Sequence, residues 1–474
     1  MAESKAAGAP GAPETCDLVI RNGYLLTMDE RRRVFPSGSV AITGSRIVAV
    51  GTDRDIAARY KPRRTIDARG AAVHPGFIDG HTHATLQLTR GAITDKPHDP
   101  SDTGPSPYIT WFNQLEEEDE YASALMASVE MARNGFTGYL EVGTAFWPDT
   151  VAAAAEDVGI RVSLGDPFLW DEPDAEGMST LIPRAPADRK RAMKLLGQQL
   201  KRNRNADSLV RGHVALYGIG SASDELALAA KKLADESGAV LTQHQNFTAD
   251  DVAHDTRRFG KHPLLHYAEI GFLGPNCTFT HMNVIHDDEV KAVVESGLSI
   301  VWQPGNYMYY AISDQMRSRM ATLHQAGVNM TFGADVAKIW VFGELGFIGY
   351  LVARQVGHYL PCESILEMFT IGGARAMGLQ NEVGSLEPGK RADIVIRRDD
   401  MPDQQPALDV VRHLALISRT KSVDTVLVNG EIVVRHGHLT RLDEEAVYAR
   451  AQESGRRMSE RVGLKLGTFW PKVE

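Results

Sequence analysis

The sequence predicts an α/β fold: a (β/α)8 TIM-like barrel with a small composite β-sandwich domain drawn from both chain ends. Three observations carry this expectation. Between Gly76 and about Ser385, short apolar runs alternate with helical stretches. Turn-punctuated, β-rich segments flank that region on both sides. The 474 residues hold a barrel and something smaller, far more than one small module.

In chain order, residues 1–15 (MAESKAAGAPGAPET) read as a flexible start, without the basic region and apolar stretch of a signal peptide. DLVIRNGYLLTMD places an Asn-Gly turn between two β-rich runs, SGSVAITGSRIVAVGT repeats the pattern, and TIDARGAAVHPGFIDG ends it. Matching strands return in GKRADIVIRR and in VDTVLVNGEIVVRHGHL, again with an Asn-Gly hairpin. Residues 16–75 and 386–440 are therefore expected to form one β-domain, with the barrel inserted as 76–385. A closing helix, EEAVYARAQESGRRMSERVG, and a tail occupy 441–474.

Within the barrel region, DEYASALMASVEMARNG precedes FTGYLEVG, DTVAAAAEDVG precedes IRVSLGD, SDELALAAKKLADESG precedes AVLTQHQN, and DDEVKAVVESG precedes LSIVWQP. Each helical stretch stops at a glycine and a strand follows at once, the rhythm of βα units. About eight units fit. No GxGxxG follows a strand and no P-loop pattern occurs, so a nucleotide-binding sheet has no support.

Composition narrows the function. Lys plus Arg number 51 against 61 Asp plus Glu, a net charge of −10 that disfavours nucleic acid and anionic membrane as partners. No apolar run reaches the roughly 18 residues of a spanning helix. Cys16, Cys277 and Cys362 lack CxxC spacing, which argues against a disulfide framework, a thiolate metal site and an oxidising compartment. A cytoplasmic enzyme acting on a small molecule is the expectation.

Active residues of such a barrel stand at the C-terminal ends of its strands. The first strand, in HPGFIDGHTHATLQLTRG, ends in His81-Thr82-His83, and residues two apart on a strand face the same way. His244 closes AVLTQHQN, His281 closes CTFTH, and Asp335 closes VNMTFGAD. Three neutral imidazoles and one carboxylate suit zinc or iron with a position open for water. It is their recurrence at strand ends that lifts these residues above the other histidines, of which the chain has sixteen.

At this point the chain resembles the amidohydrolase superfamily, over nearly its whole length. The most specific pieces are PGFIDGHTH, TFGAD, GSLEPGKRADIVI and VDTVLVNGEIVV; HATLQLTRGAITD and WQPGN resemble the branch of triazine hydrolases and methylthioadenosine-type deaminases. The resemblance implies that His81, His83, His244 and Asp335 ligate one divalent metal ion, zinc first, with iron, cobalt and manganese as alternatives. It implies that His281 hydrogen-bonds the metal's water or the substrate. Asp335 would take the water's proton and pass it to the departing nitrogen. No lysine occurs in IRVSLGD or YLEVG, so one metal is expected rather than two bridged by a carboxylated lysine. A symmetric homo-oligomer is common in this branch.

Members of the branch usually carry a glutamate three residues after the fifth-strand histidine; here that position is Phe247, and Tyr217 replaces a histidine found in many relatives. Attack on a heteroaromatic carbon needs a proton at the ring, whereas a carbonyl already has an oxygen to stabilise. The departure favours an amide, urea or carbamate carbonyl of a phenylurea- or thiocarbamate-like compound. The alternative is a heterocycle hydrolase or deaminase whose acid comes from elsewhere, Glu141 or Asp166. Asn246, Phe247, Tyr217, Trp302, Asn306 and Trp111 are candidate substrate-binding residues, Asn246 because it lies two beyond His244; Trp340 is a further aromatic near a strand end. His254, His262 and His266 read as a solvated loop, His436 and His438 as exposed, and Glu116 to Glu120 as a helix start.

Overall fold

The computed structural model describes residues 13–93, 107–174, 177–336, 340–464 and 470–471. Most of the expected flexible start, residues 1–12, lies outside the described residues, as do 465–469 and 472–474 of the tail.

Strands from the two chain ends share one sheet. Glu14–Leu26, Val34–Thr43, Arg46–Thr52, Tyr60–Asp67 and Ala72–Pro75 come from the first end, and Ile394–Arg397, Val423–Val428, Glu431–Arg435 and His438–Leu439 from the second. The seam is antiparallel, with Val395 opposite His74. The nine strands are hydrogen-bonded in one continuous network, the composite β-domain expected from both chain ends. The long first strand makes this continuity possible. Its register shifts between Ile20 and Leu25, so its first half pairs with Tyr60–Asp67 and its second with Ala72–Pro75. Asn22, at φ 54°, sits in that irregularity and not in the expected hairpin turn. Asn429-Gly430 does form a hairpin, both residues at positive φ as a type I′ turn requires.

The barrel strands are Phe77–Thr82, Phe136–Glu141, Arg161–Leu164, Val210–Gly218 (interrupted at His213), Leu241–Gln245, Cys277–His281, Ser299–Trp302 and Asn329–Phe332. All pair in parallel, in two runs that share the interrupted fourth strand. The eighth strand returns to the first through a bridge between Thr82 and Asp335, with His83 N–H to Asp335 O at 3.0 Å and Asp335 N–H to His81 O at 2.9 Å. Helices 148–158, 224–237 and 290–296 end at Gly159, Gly238 and Gly297, all left-handed, so each chain reversal uses the residue that takes positive φ without strain. The close packing of first and eighth strands explains the small residue in PGFIDGHTH. A Cβ at Gly80 would come within 2.4 Å of Thr331 Cγ2.

The closing helix is Glu444–Val462. It is anchored by buried Asp119, which accepts from Arg461 at 2.9 Å, Arg457 at 3.2 Å and the Ser454 hydroxyl. The acidic run does start a helix, Glu117–Arg133. Its Glu120 is buried and accepts the N–H groups of Phe146 and Trp147, and burial pushes its carboxyl up to about 8. Among the described residues no helix is long and apolar enough to cross a membrane.

His213, where the fourth strand breaks, is fully buried, its Nδ1 2.9 Å from the Ser163 hydroxyl, and burial holds its imidazole down at about 3. The unfolded chain takes up a proton here as pH falls below about 6.5 while the folded chain stays neutral. Stability is therefore lost with falling pH, on the order of 3 kcal/mol through this group between pH 7 and 4.5. A His213→Asn variant is expected to show a shallower fall of the thermal midpoint over that range, measured by calorimetry beside the wild type; parallel curves would refute the assignment.

Candidate metal centre

His81 and His83 end the first barrel strand, His244 lies in the fifth and Asp335 follows the eighth. One ligand atom from each falls within 4.8 Å of all the others. His81 Nε2 and His83 Nε2 stand 3.3 and 3.0 Å from Asp335 Oδ1, and His83 Nε2 faces His244 Nε2 at 3.4 Å. His81, His244 and Asp335 are buried and His83 is nearly so.

Backbone hydrogen bonds set these positions. The Asp79 carboxylate accepts the N–H of His81 at 3.0 Å and of Ala334 at 2.9 Å, locking together the two strand ends that carry three of the four residues. Asp335 and His281 take φ values of 57° and 68°. Left-handed backbone is uncommon outside glycine and collects where function over-determines the chain.

The hydrogen bonds define which nitrogens are free. Tyr217 O can only accept, so the 2.7 Å contact with His244 Nδ1 places that ring's proton on Nδ1 and a lone pair on Nε2. The Thr144 hydroxyl donates to Glu141 Oε1 at 2.9 Å, so its oxygen accepts from His83 Nδ1 at 2.8 Å, and His83 Nε2 is also a lone pair. Burial first of all holds His81 and His244 well below the usual histidine range, so both are neutral. Burial alone would raise the Asp335 carboxyl; the His83 and His81 rings beside it hold it well below the usual carboxylate range instead. Converging lone pairs beside an ionised carboxylate in a buried site repel one another unless a cation lies among them. Three imidazoles and one carboxylate fit zinc or a similar divalent ion.

The other sequence candidates fall in different places. The His281 ring centroid is 5.5 Å from that of His244 and 6.0 Å from that of His81, and the Phe247 ring stacks on His281 at 4.1 Å. Tyr217 lies 4.9 Å from His244, ring to ring, with its hydroxyl 2.8 Å from Met178 Sδ. The Asn306 amide donates to Asp335 Oδ2. Trp111 is buried in an aromatic cluster with Phe112, Phe168, Trp170 and Tyr217. Trp340 is buried against Gly305 of WQPGN, where a Cβ would approach its ring to 2.7 Å.

Several expectations are corrected. Asn246 does not face the site beside His244. The strand ends at Gln245, Asn246 turns to φ 49°, and its amide donates to Val284 O at 2.7 Å. Trp302 lies in the main core, stacked on Phe332 at 5.5 Å. The stretch after the fifth strand is two helices, Ala249–Phe259 and Pro263–Glu269, and not a loop. There His254 pairs with Asp255 at 3.2 Å, His262 with Asp288 at 2.9 Å and His266 with Asp224 at 2.9 Å. His436 and His438 are exposed as expected. Thr144 was missed by sequence reasoning, although it stands three residues beyond a strand end, where the same rule that found the ligands could have flagged it.

Barrel and cluster together define a metal-dependent hydrolase. The model of the amidohydrolase family matches residues 72–433, and the chain belongs to that family. It is 28% identical over 450 residues to a 5-methylthioadenosine/S-adenosylhomocysteine deaminase of Syntrophobacter fumaroxidans, covering 92% of this chain and 97% of the relative. It is 28% identical over 466 residues to a 5'-deoxyadenosine deaminase of Methanosarcina mazei, covering 94% and 99%. An adenosine deaminase from Xanthomonas campestris with bound zinc superposes with a TM-score of 0.83 at 25% identity, covering 95% of this chain and all of that one. The zinc complex of atrazine chlorohydrolase from Arthrobacter aurescens TC1 superposes at 0.76 and 20% identity, covering 92% and 100%, a likeness of fold.

Proposed function

We propose that this protein hydrolyses the bond between an sp2 carbon and an exocyclic nitrogen of a small heterocycle, releasing the amine. The observation that carries it is the converged set His81, His83, His244 and Asp335, in a chain 28% identical over nearly its full length to adenosine-type deaminases. That likeness favours the ring substrate over the carbonyl substrate put first on sequence grounds. The reading carries with it the expected cytoplasmic, homo-oligomeric enzyme.

A divalent ion held by the four residues supplies Lewis acidity, which makes water a competent nucleophile near neutral pH. The residues do the rest. Asp335 has one oxygen among the imidazoles and the other held by Asn306, so it is oriented to accept a proton from the attacking water and return it to the leaving nitrogen. His281, beside His244, supports the negative charge that develops on the attacked group. The Phe247 ring stacked on His281 offers an apolar face to a flat substrate.

Phe247 also supports a second reading, an amide, urea or carbamate carbonyl. Neither carboxylate named as a replacement ring acid is open: Glu141 accepts two N–H groups and the Thr144 hydroxyl, and Asp166 accepts the N–H groups of Gly197, Gln198 and Gln199. A carbonyl needs no ring acid. The test is zinc-loaded protein against 5'-methylthioadenosine, amino-triazines, aryl ureas, amides and thiocarbamates. Ammonia from the ring compounds is the expected result; amine release from the carbonyl compounds with the rings intact establishes the second reading, and inertness to the whole panel sinks both.

A further inference from the structure

Glu141 and Thr144 lie behind the ligand cluster, away from the point on which it converges. Glu141 ends the second barrel strand, is fully buried, and accepts Gly143 N–H at 2.9 Å, Thr144 N–H at 3.2 Å and the Thr144 hydroxyl at 2.9 Å. Burial raises its carboxyl, while these three donors, all aimed at it, favour the ionised form. Both Glu141 oxygens are engaged as acceptors, so the single hydroxyl hydrogen of Thr144 is committed to Glu141 and its oxygen meets His83 Nδ1 at 2.8 Å as an acceptor.

We propose that Glu141 and Thr144 are a positioning pair that fixes the tautomer and ring orientation of His83, and through them the metal affinity of the site. His83 needs this more than His244 does. A backbone carbonyl holds His244 and cannot reverse its polarity, whereas a threonine hydroxyl alone could donate or accept. Only Glu141 makes it one-way. With the polarity reversed, the His83 proton would move to Nε2, against His244 and Asp335, and block coordination. The pair acts on the metal centre, whichever substrate the enzyme takes.

The test is zinc affinity of the metal-stripped full-length protein by competition with a chromophoric chelator, no substrate present, with the cobalt-substituted absorption spectrum as a second readout. Thr144→Val keeps the shape and removes the hydroxyl; it is expected to weaken zinc binding about 10- to 100-fold and to alter the cobalt spectrum. Thr144→Ser, which keeps the hydroxyl, is expected to bind as the wild type does. Glu141→Gln can turn an N–H toward Thr144 and release the hydroxyl to donate to His83, so it is expected to weaken binding like Thr144→Val. Wild-type affinity in Thr144→Val, or an equal loss in Thr144→Ser, overturns the proposal. If Thr144→Val does not fold, as judged by the thermal midpoint of the metal-free protein, the other two decide: serine retaining and glutamine losing affinity supports the pair, and glutamine at wild-type affinity overturns it.

Discussion

An Asp335→Asn variant is expected to lose about 10³-fold or more in kcat/KM. The substitution preserves shape and removes both the charge and the capacity to carry a proton. Positioned acid–base groups contribute about 10²- to 10⁴-fold, and loss of an anionic ligand among three imidazoles adds to that. Asparagine is the informative choice because position 335 has φ 57°, a conformation asparagine tolerates far better than alanine does. The bonds that close the barrel here use the backbone N–H and carbonyl of residue 335, which the variant keeps. A fall in activity with an unchanged thermal midpoint of the metal-free protein therefore belongs to the site and not to the fold. Single-turnover rates at saturating zinc separate proton transfer from metal loss. Activity within tenfold of wild type would remove Asp335 from the role of base.

The ligands were legible because the rule that finds them is local: a polar metal-binding side chain just after an apolar run, repeated around a closed barrel, has one place to point. Where the sequence reading failed, a tertiary term or a neglected cap was responsible. Asn246 was placed by strand alternation, which holds only while the strand continues; the positive φ at that residue ends it. Asn22-Gly23 and Asn429-Gly430 are the same dipeptide, yet one makes a hairpin and the other an irregularity inside a strand, because the first has a parallel partner strand on either side of it. The helix Ala249–Phe259 was hidden by its few apolar residues, but Thr248 and Asp251 form a capping box, a signal that was present in the sequence. The contact of Asn306, in the helix Pro304–Tyr309, with Asp335, just after the eighth strand, has no local signature.

A Phe247→Glu variant is expected to raise hydrolysis of amino-heterocycles by about 10²-fold or more and to lower that of aryl-bearing carbonyl compounds by about tenfold. Phe247 stacks at 4.1 Å on the ring of His281 and meets the edge of Tyr310 at 5.3 Å, so a glutamate there enters the partly buried mouth beside the group that supports developing charge. Low polarity favours its protonated form, the form a ring acid needs. Loss of the aromatic face removes stacking surface for a substrate arene, which accounts for the opposite effect on the carbonyl compounds. The ratio of kcat/KM for 5'-methylthioadenosine to that for an aryl urea, measured in wild type and variant at matched zinc occupancy, reads both effects at once. A ratio that does not move means that residue 247 does not choose the substrate. The proton for a ring nitrogen would then come from Asp335 itself, the one ionisable carboxylate among the described ligand residues, and the phenylalanine would place no bar on ring hydrolysis.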